Sequence, residues 1–522
     1  MRTLYFNATK VIMHIDARTL TNHTEIHADL CIVGAGAAGI AMAMDWNGRS
    51  EKVVLLEGGG FEYEQEIQEQ FDGTADGQRY YPLMSTRLHY FGGTTGHWSG
   101  LCTPFDPIDF KARHWVPESG WPIALDDLLP YYSKANEVLG LGPLGYQLSA
   151  WTQEVPNLIP FPLDPTVFLS KIWQYSKARY GTLYRDTIVK SKNIHLLTYA
   201  NATEIVLGQD KKYVRVISVK TPSGKSMRIS AKRFVLACGS IQNARLLLAS
   251  NRQIESGIGN EYDRVGRYFM EHPEITAGEV WLNKSFETDL YFRKSASTRV
   301  SAEIAFSAAA QEKYKLLNGT FSLFPLGMGQ FQTPRINLWQ NKDPRKSKEV
   351  TAADWGAARR KSKNLEGAIQ FAYKLNARLE QAPNPNSRIS LGTEKDALGV
   401  PKAHLHWELG QLEKDSLRNM CLLLGREFGK TELGRVRLNA FLTDPDNRQF
   451  PDHTNGGWHH MGTTRMHQDP KKGVVNEDCR IHSIENLFIA GASCFTTGGA
   501  ANPTLTLTAL ALRLSDYLKK DA

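Results

Sequence analysis

The sequence predicts an α/β fold of two interleaved domains, and three observations carry that expectation. A strand, a glycine-rich turn, a helix and a second strand follow one another near the N-terminus; the chain changes character between about 276 and 454; a buried strand and a helix return after 455. The expected division is a discontinuous first domain, 1–275 with 455–522, and a second, sheet-plus-helices domain at 276–454.

Element by element, Asp29–Val33 is an apolar run, Gly34–Gly39 a small-residue turn, IAMAMDW a helix, and Val53–Leu56 a second apolar run ending at Glu57. NIHLLTYANATEIVL and VRVISVKTPSGKSMRISAKRFVLACGS alternate apolar and polar residues around a Pro-Ser-Gly turn, as antiparallel strands do, and the helix IQNARLLLAS follows. Between 276 and 454, EITAGEVWL, NSRISL and HLHWEL read as strands flanking a basic polar insert near 340–365. Asn486–Ala490 is a buried strand. The last helix runs from Pro503 to about Leu518, with Asn502 at the N-cap, Pro503 at the first helical position and Lys519 and Lys520 at the C-terminal end, where cations are favoured.

Composition narrows the function classes. With 522 residues, 42% hydrophobic and 22% charged, the chain can bury a large core. No run of about 18 or more apolar residues offers a membrane span. The start, MRTLYFNATKVIMHID, lacks an apolar h-region, a small-residue cleavage pattern and a twin-Arg signal, so a cytoplasmic address is expected. The six cysteines are scattered without a C-x-x-C pair, which argues against a zinc ribbon, haem attachment or a disulfide framework. The net charge of +8 is densest at Arg345–Lys348 and Arg359–Lys363. Those runs are expected to be solvated surface, with an acidic ligand, redox partner or membrane surface as the alternatives. No nucleic-acid-binding motif accompanies them.

Three segments carry chemistry. Gly34, Gly36 and Gly39 form G-x-G-x-x-G after a strand and at the start of a helix, the setting in which backbone approaches a pyrophosphate. Glu57 follows at the spacing of a carboxylate that hydrogen-bonds a ribose; the motif alone fits FAD or NAD equally. FGGTTGHWSG, at 91–100, is a glycine loop able to lie against a flat ligand, interrupted by His97 and Trp98. In GWHHMGT two histidines adjoin; alternation of faces lets only one meet a small ligand. Asn502 lies 43 positions beyond His459, across the buried strand, so both can return to one site.

Together these segments resemble the glucose-methanol-choline (GMC) family of FAD-dependent oxidoreductases. The resemblance also rests on VLACGSIQNARLLL, on VGRYFMEHP with His272 and Pro273, on HHMGTTRM and on NLFIAGASCFTTGGAANPTLTLTALAL. It implies a Rossmann-like FAD-binding domain interleaved with a substrate-binding domain. The implied cofactor set is Gly34, Gly36, Ala38, Gly39 and Glu57; Gly93, Thr94, Thr95, Gly96, His97, Trp98 and Ser99; position 203, occupied by Thr203; Gly239; Gly491 and Ala492; and Asn502, Pro503 and Thr504. The H-x-x-G register of the family selects His459, before Gly462, as general base and leaves His460 as the inert control. Asn502 fills the partner position.

GHW and GAANPTLT look most like pyranose 2-oxidases and related bacterial sugar dehydrogenases. In such members the histidine of T-H-W is covalently bound to flavin; Gly96 replaces the preceding Thr here, so His97 is either a linkage site or a flavin-facing residue. The implied reaction moves a hydride from the alcohol carbon to flavin N5 while His459 takes the hydroxyl proton and Asn502 holds the oxygen. The expected partners are a sugar or glycoside, or another small alcohol, and oxygen or another electron acceptor. Gln381 and Arg388 are candidate substrate contacts, and a homo-oligomer is compatible with the sequence. The rival readings are a sterol, choline or simple-alcohol oxidase, an NAD-dependent dehydrogenase, a non-redox lyase holding FAD, and a flavin-containing binding protein without turnover.

Overall fold

The computed structural model describes residues 3–4, 13–142, 145–152, 158–283, 286, 290–291, 299–326, 372–444, 446–447 and 449–520. The basic runs expected between 340 and 365 lie outside the described residues. Val53–Leu56 is buried at all four positions, as a strand covered on both faces must be. It pairs in parallel with Thr24–Val33, Leu30 opposite Val53 and Val33 opposite Leu56, and on its other edge with Ile194–Thr198. The helix Ala37–Asp45 connects the first two strands.

The long strand Ser226–Leu236 explains why the C-terminal segment returns to this sheet. One edge runs parallel to Thr24–Val33, from Met227 opposite Thr24 to Leu236 opposite Val33. The other edge is shared: its beginning pairs antiparallel with Val214–Lys220, and its end pairs in parallel with Leu487–Ile489. Residues 34–39 and those following 489 thus leave strands on either side of Ser226–Leu236, at the same carboxyl end of its parallel pairings, where open α/β sheets bind ligands. The final helix, Pro503–Lys520, packs on Ala37–Asp45 beneath them.

A second, antiparallel sheet is ordered Gly434–Leu438, Pro273–Leu282, Ala372–Leu379, Gly319–Pro325, Arg299–Phe306, Phe168–Tyr175 and Leu101–Cys102, with Asn455–Gly456 beside Pro273–Leu282. Apolar side chains of the helix Gln411–Lys430, among them Leu417, Met420, Leu424 and Phe428, fill a separate core against it. No helix among the described residues is long and apolar enough to cross a membrane.

Pairing crosses the sequence boundary set at 275. Leu101–Cys102 and Phe168–Tyr175 belong to the second sheet, while Arg388–Lys395 and Pro401–Trp407, from within 276–454, form a small sheet with Gly73–Gly77. Ile389, Leu405 and Trp407 pack in the first core rather than the second. The stretch expected to be wholly antiparallel also divides: Ile194–Thr198 is a buried parallel strand, and only Asn201–Leu207, Val214–Lys220 and Ser226–Leu236 form the antiparallel meander. Alternation identifies a strand; it does not name the neighbour.

Candidate active site

The glycine turn shows why each small residue is needed where it stands. A Cβ on Gly39 would sit 1.9 Å from Gly34 O, so only glycine lets the helix close on the turn. A Cβ on Gly36 would meet no atom, because Gly36 edges a cavity of about 310 Å³. Every residue expected to contact cofactor borders this cavity except Gly39 and Gly96. Those two are packing positions: Gly39 faces Gly34, and Gly96 abuts the Tyr90 hydroxyl.

Glu57 lines the cavity at 5% exposure and is held by backbone. Its Oε2 accepts from the Ala35 N–H at 3.1 Å and its Oε1 from the Gly59 N–H at 3.0 Å. Burial pushes its pKa up to about 7, against the opposing pull of those backbone donors. Each carboxylate oxygen retains a second lone pair for a ribose hydroxyl. Arg87 borders the same cavity and was not found from sequence. It is 7% exposed, its Nη2 donates to Phe71 O at 2.9 Å, and its Nε and Nη1 have no hydrogen-bond partner among the described residues. Burial, then the nearby Arg245, lowers its pKa to about 9. A guanidinium so placed suits an anionic ligand group.

At the other end, His459 and Asn502 meet across the 43 residues between them. Asn502 Nδ2 lies 3.0 Å from His459 Nε2, both side chains being buried. His459 Nδ1 lies 2.9 Å from Nδ1 of His272, whose Nε2 is 2.8 Å from Gly499 O and 3.2 Å from Gly498 O. Carbonyl oxygens only accept, so His272 Nε2 carries a hydrogen. Burial, assisted by the Arg378 charge, pushes the His272 pKa down to about 4, leaving a neutral ring with a bare Nδ1 at pH 7. His459 Nδ1 must therefore donate, and in the neutral ring Nε2 keeps its lone pair toward Asn502. The network assigns the tautomer.

The chain holds this arrangement through Glu271, which is fully buried. Its Oε2 accepts from the backbone N–H of His459 at 2.9 Å and of His272 at 3.1 Å, and its Oε1 from the Tyr80 hydroxyl. Gly457 leaves room for the imidazole: a Cβ there would fall 2.5 Å from His459 Nδ1. Trp458 follows with φ 61°, a left-handed conformation that a bulky residue adopts only at a cost of order 1–3 kcal/mol. Its ring stacks on His97 at 5.2 Å between centroids.

Several expectations are revised by these contacts. His460 has other hydrogen-bond partners than His459 but borders the same cavity, so alternation does not remove it from the site, and it is not idle. Its Nε2 is 2.9 Å from the Tyr80 hydroxyl, its carbonyl accepts from Ser240 Oγ at 2.6 Å, and burial holds its pKa well below the usual histidine range. Asn502 occupies the N-cap position, yet its Oδ1 accepts from Trp173 Nε1 at 3.3 Å instead of capping the helix. Gln381 is a buried support rather than a substrate contact: its Oε1 accepts from the Glu271 N–H and from Trp407 Nε1, each at 3.0 Å. Arg388 pairs with Asp263 at 2.9 Å and does not border the cavity. His272 and Glu271 were legible only as part of VGRYFMEHP and Gly457 only as part of GWHHMGT, while Trp173 had no signal.

Comparison with known proteins gives these contacts a family setting. Residues 175–274 and 383–511 match family models described as GMC oxidoreductase. The chain is 32% identical over 461 residues to a C-glycoside 3-oxidase of Microbacterium trichothecenolyticum, with 84% of this chain and 76% of that protein covered. It is 24% identical to the fructose dehydrogenase large subunit of Gluconobacter japonicus, covering 96% of this chain and 99% of that one. Among solved structures, a formate oxidase superposes with a TM-score of 0.55 at 15% identity, covering 96% of this chain and 99% of that chain, which shows a shared fold.

Proposed function

This chain belongs to the GMC oxidoreductase family, and we propose that it oxidises a secondary or primary alcohol group on a sugar or glycoside, with His459 as general base. It is an FAD-dependent oxidoreductase that acts on CH–OH donors. The residues present fit that cofactor: Gly36 offers bare backbone to the cavity at a helix N-terminus, and Arg87, whose buried Nε and Nη1 have no hydrogen-bond partner among the described residues, borders it. The turn Gly34–Gly39 with Glu57, the loop 93–99, Gly491 and Ala492, and the first residues of the last helix would hold it. When bound, FAD supplies the hydride acceptor.

The observation that carries the reading is the lone pair of His459 Nε2, aimed at the Asn502 amide 3.0 Å away. A substrate hydroxyl that displaces this hydrogen bond, the two side chains parting to admit its oxygen, donates its proton to Nε2 and accepts from the amide. Proton removal by a positioned base contributes about 10²–10⁴ in rate. As charge develops on the substrate oxygen, the Asn502 N–H released from Nε2 donates to it. His272 keeps the hydrogen on the far nitrogen of His459, and Glu271 holds both backbones. The names of the fructose dehydrogenase and C-glycoside 3-oxidase relatives support the sugar or glycoside class.

The test is an anaerobic flavin-reduction screen across sugars, glycosides, alditols, choline and simple alcohols, followed by admission of oxygen. Bleaching by a sugar or glycoside with rates above those of the other alcohols is expected. Bleaching only by non-sugar alcohols contradicts the substrate class, and conversion of substrate with no bleaching points to the lyase. The oxygen step distinguishes an oxidase from a dehydrogenase.

A further inference from the structure

The carboxamide of Asn502 has two ends of nearly equal shape and opposite chemistry: the oxygen only accepts and the NH₂ only donates. Which end faces His459 decides which tautomer fits beside it. With the NH₂ toward Nε2, the imidazole nitrogen must present a lone pair; with the oxygen there, it must present a hydrogen and cannot take a proton.

Trp173 settles the choice. Its indole Nε1–H can only donate, is completely buried, and lies 3.3 Å from Asn502 Oδ1. Reversing the amide would set two buried donors against each other, and a buried unsatisfied polar group is costly. Trp173 does not border the cavity, so it acts on the chemistry through Asn502. It belongs to the strand Phe168–Tyr175 of the second sheet, and its ring lies 5.8 Å below the Arg378 guanidinium, itself paired with Glu274 and Glu303. The second sheet thereby reaches across to the amide of the last helix. From the opposite side the Gly499 carbonyl, acting through His272, imposes the same His459 tautomer.

We propose that Trp173 is a positioning residue for alcohol oxidation: its indole N–H locks the Asn502 amide with the NH₂ toward His459 Nε2 and the substrate oxygen, keeping His459 in its proton-accepting tautomer. The proposal rests on the assignment of His459 and Asn502 given above.

A double-mutant cycle on the FAD-loaded enzyme tests it, with the limiting rate of anaerobic flavin reduction and the apparent substrate Kd measured for wild type, Trp173→Phe, Asn502→Ala and the double variant. In the wild-type background Trp173→Phe lowers the limiting rate roughly tenfold or more, the scale of one buried hydrogen bond, with little change in apparent Kd. In the Asn502→Ala background the same substitution has almost no effect. Equal losses in both backgrounds, or no loss in either, overturn the proposal. Benzothienyl-alanine at position 173, which keeps the ring shape and replaces N–H by sulfur, repeats the test without a change of packing. The His459→Ala rate separates the two levels of inference. If His459→Ala abolishes reduction while the cycle is additive, only the role of Trp173 fails; if His459→Ala reduces normally, the base assignment fails and takes the Trp173 role with it.

Discussion

Replacing His272 removes the acceptor on which the His459 tautomer depends. In His272→Phe the Nδ1–H of His459, now 2.9 Å from His272 Nδ1, has no acceptor. Leaving a buried donor unsatisfied costs about 1–3 kcal/mol. If that cost falls on the productive tautomer, it depopulates the state with a lone pair on Nε2 by roughly 5- to 150-fold. The limiting rate of anaerobic flavin reduction, followed by stopped-flow absorbance, should fall within that range while FAD content and apparent substrate Kd change little. His272→Gln, whose amide can accept from His459 and donate to the Gly499 carbonyl, should recover part of the rate. A His272→Phe enzyme that retains FAD and is reduced at the wild-type rate would falsify the tautomer reasoning. The pH dependence has a definite sign. Because the folded-state pKa of His272 is lowered to about 4 from 6.5, the unfolded chain takes up a proton first, and this residue's contribution to stability falls as pH drops from 6.5 toward 4. Below about 4 its Nδ1 also gains a hydrogen and opposes the His459 N–H.

Three further outcomes follow from individual contacts. Gly457→Ala places a methyl group 2.5 Å from His459 Nδ1 and should lower the reduction rate about 10²-fold by displacing the imidazole, with FAD still bound; an unchanged rate would show that the imidazole has slack. Glu57, with its pKa raised from 4.5 to about 7, makes the cofactor-free protein lose on the order of 3 kcal/mol of stability as pH rises from 4.5 through 7. Urea denaturation of apo wild type and apo Glu57→Gln, whose neutral amide mimics the protonated carboxyl, should therefore agree at low pH and diverge as pH rises, with wild type the less stable; parallel curves would place the carboxyl in a less penalising environment. His460→Ala should keep the reduction rate within a few-fold of wild type but lower stability by about 1–3 kcal/mol, since the Tyr80 hydroxyl loses its imidazole partner while the backbone carbonyl that Ser240 uses remains. A rate as low as that of His459→Ala would give His460 a role in the chemistry.

How far the sequence reached depends on how local each signal was. The G-x-G-x-x-G turn and its flanking strands are fixed by steric needs within a few residues, and Gly36 and Gly39 show those needs directly. The H-x-x-G register picked one of two adjacent histidines, and the structure brings His459 to Asn502. Its second partner, His272, stands 187 residues away, and no periodicity connects them. Asn502 illustrates the same limit: its place before Pro503 reads as an N-cap, but Trp173, 329 positions earlier, diverts the side chain into the site. Sheet membership failed for a related reason. Arg388–Lys395 and Pro401–Trp407 are amphipathic strands wherever they pair, and their partner, Gly73–Gly77, is a polar segment with no strand signature of its own.

The assignment of His459 as the base that takes the substrate hydroxyl proton is tested most directly by single-turnover anaerobic reduction of the FAD-loaded His459→Ala enzyme, using the best sugar or glycoside from the screen. A normal FAD content with reduction slowed by about 10²-fold or more is the expected result. Reduction at the wild-type rate would contradict it.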